Sequence, residues 1–135
     1  MKTEQILNVL ASVAEANDPF PKARLAAAVV RDGRILTIGI NRNKTDPLQA
    51  KFSKNAHSIF IHAEIHAIKL AMGKMSLSDL AKCELVICRV KQKQTKDDPF
   101  EWALSKPCDG CMRAIAEFGL RRISYTTGPG EYEVL

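Results

Sequence analysis

The sequence lacks the long apolar run that a membrane-spanning helix requires, since none of its hydrophobic stretches approaches about 20 residues. It also lacks internal repeats, low-complexity tracts and any linker-like stretch, which argues for a single domain over its 135 residues. The N-terminal segment has no continuous apolar region of the signal-peptide kind, because Glu4, Asn8 and Glu15 interrupt it. We therefore expect a cytoplasmic protein with no membrane contact, whose cysteines stay reduced unless they bind a metal.

Acidic residues are in the minority. There are 15 Asp and Glu residues against 20 Lys and Arg residues, so the formal net charge is +5. A positive balance suits a phosphate-bearing partner, either a free nucleotide or a nucleic-acid backbone, although it also serves solubility in general. A long polar stretch between residues 41 and 61 carries four candidate phosphate contacts, namely Arg42, Lys44, Lys51 and Lys54.

The hydrophobic pattern predicts an α/β fold. A strand-helix-strand run at the end of the chain implies parallel strand pairing, with helices packed on the sheet. Asp32-Gly33 marks a hairpin turn, and Gly128-Pro129-Gly130 is expected to break the chain after the last strand. The expected order is helix (6–14), strand (25–30), strand (35–40), helix (62–72), strand (84–90), helix (108–118) and strand (122–126), with a charged insertion at 91–106.

Two short segments carry residues suited to metal chemistry: His62-Ala63-Glu64 and Pro107-Cys108-Asp109-Gly110-Cys111, each at the start of a predicted helix. Cysteines three apart on a helix share one face, and the helix N-terminus favours the thiolate form. One histidine and two thiolates bind zinc with a fourth position open for water, which is typical of catalytic zinc sites. Glu64 follows His62 by two residues and is placed to move the protons of that water.

The pattern H-x-E followed by P-C-x-x-C resembles the signature of the zinc-dependent nucleoside, nucleotide and nucleobase deaminases. The HAEIHAI and PCDGCMRAIAEFGLRRISY stretches are closest in pattern to deoxycytidylate deaminases. The resemblance spans about residues 25–126. It implies a three-layer fold with a central mixed sheet of four to five strands, helices on both faces, and one Zn²⁺ per chain.

The resemblance also implies roles for individual residues. His62, Cys108 and Cys111 are the predicted metal ligands, and Glu64 is the predicted catalytic residue. The predicted substrate contacts include Asn41, which the resemblance places against the nucleoside, and Ala63. Lys44 is predicted from its charge and its place between Asn41 and His62. Phe100 and Trp102 in the insertion are aromatic residues that either stack on a base or anchor a long loop. The family further implies a homo-oligomer.

The sequence departs from the family pattern in three places. His66 stands where an asparagine is usual, and the insertion before Pro107 is unusually long. Little chain follows the last predicted strand, so we expect the fifth strand and final helix of many relatives to be absent or vestigial.

Other interpretations of the cysteines and histidines stay open at this point. The CxxC pair is also found in thioredoxin-like redox sites. A structural zinc site would need a fourth ligand from His57, His66, Cys83 or Cys88. Cys83 and Cys88 differ by an odd number of positions, so within one strand they would face opposite sides and could not bind one ion together. We interpret His66 as a core residue or a residue that supports the ligands.

The favoured function is hydrolytic deamination of a cytosine nucleotide, with deoxycytidylate as the substrate. The first alternative is deamination of cytosine or adenine in single-stranded nucleic acid or tRNA, with Phe100 and Trp102 stacking on a neighbouring base. The second alternative is a non-catalytic, zinc-stabilised binding module. Glu64 speaks against the last, since structural zinc gives that position no reason to be acidic.

Overall fold

A mixed β-sheet forms the centre of the molecule in the computed structural model, which describes residues 1–17, 24–53, 60–95 and 97–135. Within these ranges the sheet has six strands, in the order β2-β1-β3-β5-β6, with β4 paired to the far half of β3. The β3–β5 pair is parallel, as predicted, and the other pairs are antiparallel. The strands are β1 (Arg24–Arg31), β2 (Arg34–Ile40), β3 (Glu84–Gln92), β4 (Phe100–Ala103), β5 (Ile123–Gly128) and β6 (Glu131–Val134).

Helices cover both faces of this sheet, which confirms the predicted three layers. Helix α1 (Thr3–Glu15) packs on one face and buries Ile6, Leu7 and Leu10 against the even-numbered residues of β1 and β3. Helices α3 (Ala63–Met72) and α5 (Asp109–Phe118) pack on the other face. The remaining helices are α2 (Pro47–Ser53), which packs against α5, and the short α4 (Leu77–Leu80).

Alternation along the strands divides the core into two clusters. In β1, Ala27 and Val29 face α3 and α5, whereas Ala26, Ala28 and Val30 face α1. All five side chains are almost fully buried, as expected of a central strand covered on both sides. The near-continuous apolar run of β1 therefore reflects burial on two faces.

The structure differs from the sequence prediction in three segments. The stretch at 41–61 contains helix α2, which Asp46 caps by accepting hydrogen bonds from the amides of Leu48 (2.9 Å) and Gln49 (3.2 Å). The insertion contains β4, which pairs with the far half of β3. The expected break at 128–130 is the turn of a hairpin that leads into the short strand β6, so the sheet exceeds the predicted four to five strands.

Gly39 sets how closely α3 approaches the sheet. A Cβ atom at this position of β2 would lie 2.3 Å from the backbone nitrogen of Ala67 and 2.5 Å from the carbonyl oxygen of Ala63. Only a residue without a side chain allows this contact, which brings the N-terminal part of α3 against β2. In the described part of the chain, no helix has the length and apolar character needed to span a bilayer.

Candidate functional site: a metal centre in a cationic cavity

Three ligand atoms meet between the N-termini of α3 and α5. The Nδ1 atom of His62 lies 3.5 Å from Sγ of Cys108 and 3.4 Å from Sγ of Cys111. Their ligand atoms all lie within 4.8 Å of one another. His62 and Cys108 are the residues that cap α3 and α5, so the positive ends of both helices point at the cluster.

The spacing of these atoms fits zinc. A tetrahedral ion with the usual Zn–S and Zn–N bond lengths places neighbouring nitrogen and sulfur ligands about 3.6 Å apart. The measured separations of 3.5 Å and 3.4 Å agree with that value. Two sulfurs and one imidazole nitrogen are also a donor set that zinc prefers, and three protein ligands leave one position open.

The cluster favours the thiolate form at one of its two sulfurs, that of Cys108. Hydrogen bonds from Cys111 and His62 lower the pKa of the Cys108 thiol to about 3. The pKa of the Cys111 thiol is raised, because Cys111 is hydrogen-bonded to Cys108 and is buried. The hydrogen bond to Cys108 also raises the pKa of His62. In the absence of a metal, the protons of His62 and Cys111 therefore stabilise the negative charge on the Cys108 sulfur. A divalent cation bound at the same point would replace those protons.

Glu64 lies beside the cluster and is almost fully buried, with 3% of its surface exposed. Burial raises its pKa above the usual value, and the charge of His62 opposes that shift. Glu64 also interacts with both cysteines and lines the cavity described below. Its position in the first turn of α3, two residues after a ligand, places a carboxyl group next to the metal centre without using it as a ligand.

Gln49 of α2 holds the backbone of His62 in place. Its side-chain oxygen accepts a hydrogen bond from the His62 amide at 3.0 Å, and its side-chain nitrogen donates to Ser53 Oγ at 2.8 Å. Gln49 has no exposed surface, so both polar atoms depend on these partners. Sequence patterns offer no reason to single out Gln49, because its partner His62 lies 13 residues away, across a segment whose path the sequence does not predict.

Helix α2 also supports the cysteine turn. A Cβ atom on Gly110 would lie 2.9 Å from Cα of Ser53, so the glycine between the two cysteines lets the helices touch. Arg113 of α5 donates from Nε to the Phe52 carbonyl at 2.8 Å and satisfies the C-terminal end of α2. The two ligand-bearing turns are thus linked through α2.

A cavity of about 420 Å³ opens beside the cluster. Among its described lining residues Arg42, Arg89 and Lys106 are cationic, and Glu64 is the acid. The other lining residues are Leu25, Asn41, Asn43, Phe60, Ile61, His62, Ala63, Leu104, Ser105 and Cys108. A cavity with a metal site at one end and an excess of cations suits a small anionic ligand.

The family model described as "Cytidine and deoxycytidylate deaminase zinc-binding region" matches residues 1–127. The chain belongs to this family. The match covers both the histidine turn and the cysteine turn, so the metal for which the site is built is zinc. Family membership supports a zinc-dependent hydrolytic deaminase that acts on nucleosides or nucleotides. No curated protein sequence is significantly similar to the chain.

Solved structures share the deaminase fold. Cytidine deaminase from Burkholderia pseudomallei is 17% identical over 100% of this chain and 92% of its own, with a TM-score of 0.64. The dCMP deaminase of cyanophage S-TIM5 is 22% identical over 93% of this chain and 79% of its own, with a TM-score of 0.52.

A third structure belongs to a much longer protein. It is a diaminohydroxyphosphoribosylaminopyrimidine deaminase/5-amino-6-(5-phosphoribosylamino)uracil reductase from Thermotoga maritima, 22% identical over 93% of this chain, with a TM-score of 0.54. The present chain spans 29% of it. At these identities all three likenesses concern the fold.

Two predicted substrate contacts line the deaminase cavity. Asn41 follows β2, and its Oδ1 atom accepts hydrogen bonds from the Leu25 amide (2.9 Å) and from Nδ2 of Asn17 (3.1 Å). Ala63 is the fully buried first residue of α3. Both lie where a substrate next to the metal would contact them, and their role in binding stays a prediction.

The predicted phosphate contacts are dispersed. Arg42 lines the cavity, and Lys44 lies in an adjoining depression that Arg42 also borders. Lys51 lies over the ring of Phe52, 5.3 Å from its centroid, in another depression. Lys54 falls outside the described residues.

Phe100 and Trp102 lie away from the described lining of the cavity. Both pack on the core cluster under α1, and the guanidinium group of Arg24 lies 5.1 Å from the centroid of the Phe100 ring. They belong to β4, where Trp102 pairs with Val90. This arrangement supports the anchoring interpretation and gives no support to base stacking, which stays untested.

The alternative metal ligands are occupied elsewhere, as far as the structure describes them. Nδ1 of His66 accepts a hydrogen bond from the Ile40 amide at 3.0 Å, and burial lowers the pKa of His66. Cys83 and Cys88 are fully buried in the two different core clusters. His57 falls outside the described residues.

The sequence analysis missed Arg89 and Lys106, which both line the cavity. Arg89 had a detectable signal, because it is a charged residue within the otherwise apolar run Leu85–Val90 of a buried strand. Lys106 gave none, since it is one of several lysines in a charged insertion.

Proposed function

We propose that the chain catalyses hydrolytic deamination of a cytosine nucleotide, converting deoxycytidylate and water into deoxyuridylate and ammonia. The observation that carries the proposal is the buried Glu64 carboxyl beside the three-ligand cluster, in the wall of a cavity whose other charges are positive. A structural metal site has no need of a cavity or of a buried acid at this point.

Each residue of the metal end has a distinct part in this reaction. His62, Cys108 and Cys111 hold the zinc, which, when bound, supplies a Lewis acid that lowers the pKa of water to about 7. Glu64 takes one proton from the attacking water and delivers it to ring nitrogen N3. It then takes the second proton from the same oxygen, now bonded to C4, and passes it to the amino group, which leaves as ammonia. Burial of Glu64 excludes bulk water from that transfer.

The neighbouring residues position the nucleoside. Asn41 offers a side chain whose orientation is fixed by Leu25 and Asn17, so it can bind a hydroxyl group without reorganising. Ala63 is small and lies on the cavity wall, which lets a flat ring approach Glu64.

The charge of the cavity favours a nucleotide over a nucleoside. Three cations against one acid, which lies at the metal end, leave a surplus that a neutral nucleoside would not use. A single phosphate needs one or two of these cations. A nucleic-acid strand needs more, and its binding then weakens steeply with salt.

A substrate panel tests the proposal. The zinc-loaded protein is assayed for ammonia release with cytosine, deoxycytidine, deoxycytidylate, adenine nucleotides and a cytosine-containing oligonucleotide. We expect deoxycytidylate to give the highest kcat/KM and the oligonucleotide to give little turnover. Efficient oligonucleotide deamination with a steep salt dependence and negligible nucleotide turnover would contradict the proposal and favour the nucleic-acid alternative.

A further inference from the structure

Arg89 occupies an unusual place in the sheet. In β3, Leu85 and Ile87 point toward α3 and α5 and are fully buried, and alternation puts Arg89 next on the same face. At this position the helices leave room for the cavity, and Arg89 forms part of the cavity wall. The strand thus replaces the apolar residue expected at this position with a fixed positive charge.

The guanidinium group of Arg89 is poorly satisfied by the protein. Its Nε atom is buried and has no hydrogen-bond partner in the described structure. Its Nη1 atom donates to the Leu104 carbonyl at a long 3.4 Å. A buried donor without an acceptor costs about 1–3 kcal/mol, and arginine cannot lose its proton to reduce that cost. A ligand that brings a hydrogen-bond acceptor into the cavity would remove this energetic cost.

The surroundings of Arg89 place it near Asn41, the residue predicted to contact the nucleoside. Leu25 pairs with Arg89 in the sheet, and the Leu25 amide donates to Asn41 at 2.9 Å, so Arg89 lies at the Asn41 side of the cavity. Lys106, two residues after Leu104, lines the same cavity and is exposed. Neither cation makes an ion pair within the described residues.

We propose that Arg89, assisted by Lys106, binds the phosphate monoester of the nucleotide and thereby selects nucleotide over nucleoside. The inference rests on the proposed function for the identity of the reacting base. The planar guanidinium fork matches two oxygens of a phosphate, whereas a neutral carbonyl would use one donor. The proposed phosphate subsite lies on β3 and on the segment after β4. The sequence analysis had instead suggested phosphate contacts among the cations of residues 42–54.

The test compares Arg89→Gln, Lys106→Gln and the control Arg121→Gln, which removes the same charge from an exposed position. Turnover is measured on deoxycytidylate and on deoxycytidine. We expect Arg89→Gln to lower kcat/KM for the nucleotide by about 10–100-fold, the range for a charged hydrogen-bonding pair. The nucleoside should change less than about threefold, and Arg89→Lys should restore part of the loss because the charge is kept.

A loss of equal size on both substrates, or no loss on either, would overturn the proposal. If Arg89→Gln does not fold, Lys106→Gln decides, because its exposed side chain supports no core: a nucleotide-selective loss upholds the subsite, and the absence of one overturns it.

Binding of deoxyuridylate and deoxyuridine to the zinc-loaded protein, followed by calorimetry, separates this inference from the proposed function. If wild-type protein turned over neither substrate, the proposed function would fail. Arg89-dependent binding of deoxyuridylate would still uphold the phosphate subsite, and equal binding by wild type and Arg89→Gln would overturn it.

Discussion

The two ends of the cavity are built in different ways. At the metal end, His62, Cys108 and Cys111 come from two helix N-termini, and each turn is a short contiguous motif. At the other end, which is defined by Asn41 and Arg89, Asn41 directly follows β2 and Arg89 belongs to β3. The register of β1 and β3 brings the two residues together through Leu25. The comparison teaches that chemistry held in a local turn is visible in the sequence, whereas recognition assembled across a sheet is not.

The largest effects should come from the metal end. Glu64→Gln removes the proton carrier but none of the ligands, so we expect turnover to fall by about 10²-fold or more while zinc stays bound. Cys108→Ala removes a metal ligand and should abolish both zinc binding and turnover. Zinc content and ammonia release, measured together, distinguish the two variants.

Glu131→Gln provides the matched control for these variants, because Glu131 is an exposed acid on β6. It should retain zinc and turnover. Near-wild-type activity of Glu64→Gln on every substrate would exclude the proton-transfer role.

Gly39→Ala tests the contact that joins the two ends, because β2 carries Asn41 at its end and supports α3 at Gly39. The new Cβ atom would lie 2.3 Å from a backbone nitrogen, which no side-chain rearrangement relieves. We expect the free energy of unfolding to fall by at least the upper end of the usual overpacking range of about 1–3 kcal/mol.

Denaturant unfolding of the zinc-loaded protein measures this loss. Gly128→Ala is the control, since a Cβ atom at Gly128 meets no atom within 4 Å. Equal stability of the two alanine variants would show that α3 can shift away from β2 without cost.

Gln49→Leu tests how far the metal end depends on tertiary contacts. The substitution leaves the partly buried His62 amide without its acceptor and frees the ligand-bearing turn. Loss of residues that orient metal ligands lowers metal affinity by about 10–100-fold, and we expect an effect in this range. Chelator competition gives the zinc affinity, and Gln94→Leu, at an exposed position, is the control. Unchanged affinity in Gln49→Leu would mean that the His62 turn orders itself.

The smallest expected effect concerns Asp46, which caps α2 and pairs with Lys69 of α3. Burial raises the pKa of Asp46, but hydrogen bonds from Lys69 and from the Gln49 and Leu48 amides outweigh it and hold the pKa below the usual 3.8. Such a carboxylate stabilises the fold above its unfolded-state pKa and loses that contribution as the pH falls through the folded-state value.

Asp46→Asn keeps the helix cap and removes the charge. We expect it to cost about 0.5–1 kcal/mol near neutral pH, because Lys69 is half exposed. The difference from wild type should shrink below about pH 4. Urea unfolding across pH 3–7 measures it, and a difference that grew on acidification would contradict the assigned pKa direction.

The predictability of individual segments follows the same division. The bounds of strands β1 and β2 and of helices α3 and α5 were predicted closely. The spacing of their apolar residues and the residues at their ends are local features of the sequence. The β4 strand was not predicted, since its residues become a strand only by pairing with the extended end of β3. Likewise β6 was not predicted, because it forms a strand by pairing with β5. Helix α2 is too short to be predicted from its own sequence, since its packing against α5 stabilises it.

The sequence by itself determined the deaminase family and the zinc-ligand motif, because the ligand spacing and the helix starts are encoded within a few residues. It also determined the layered α/β architecture through the alternation of apolar residues. Only the tertiary structure decided that Gln49 holds the His62 turn, that Phe100 and Trp102 pack on the core, and that Arg89 faces the cavity. These facts depend on which strands become neighbours and in which register, and pairings between distant segments are set by the packing of the whole sheet.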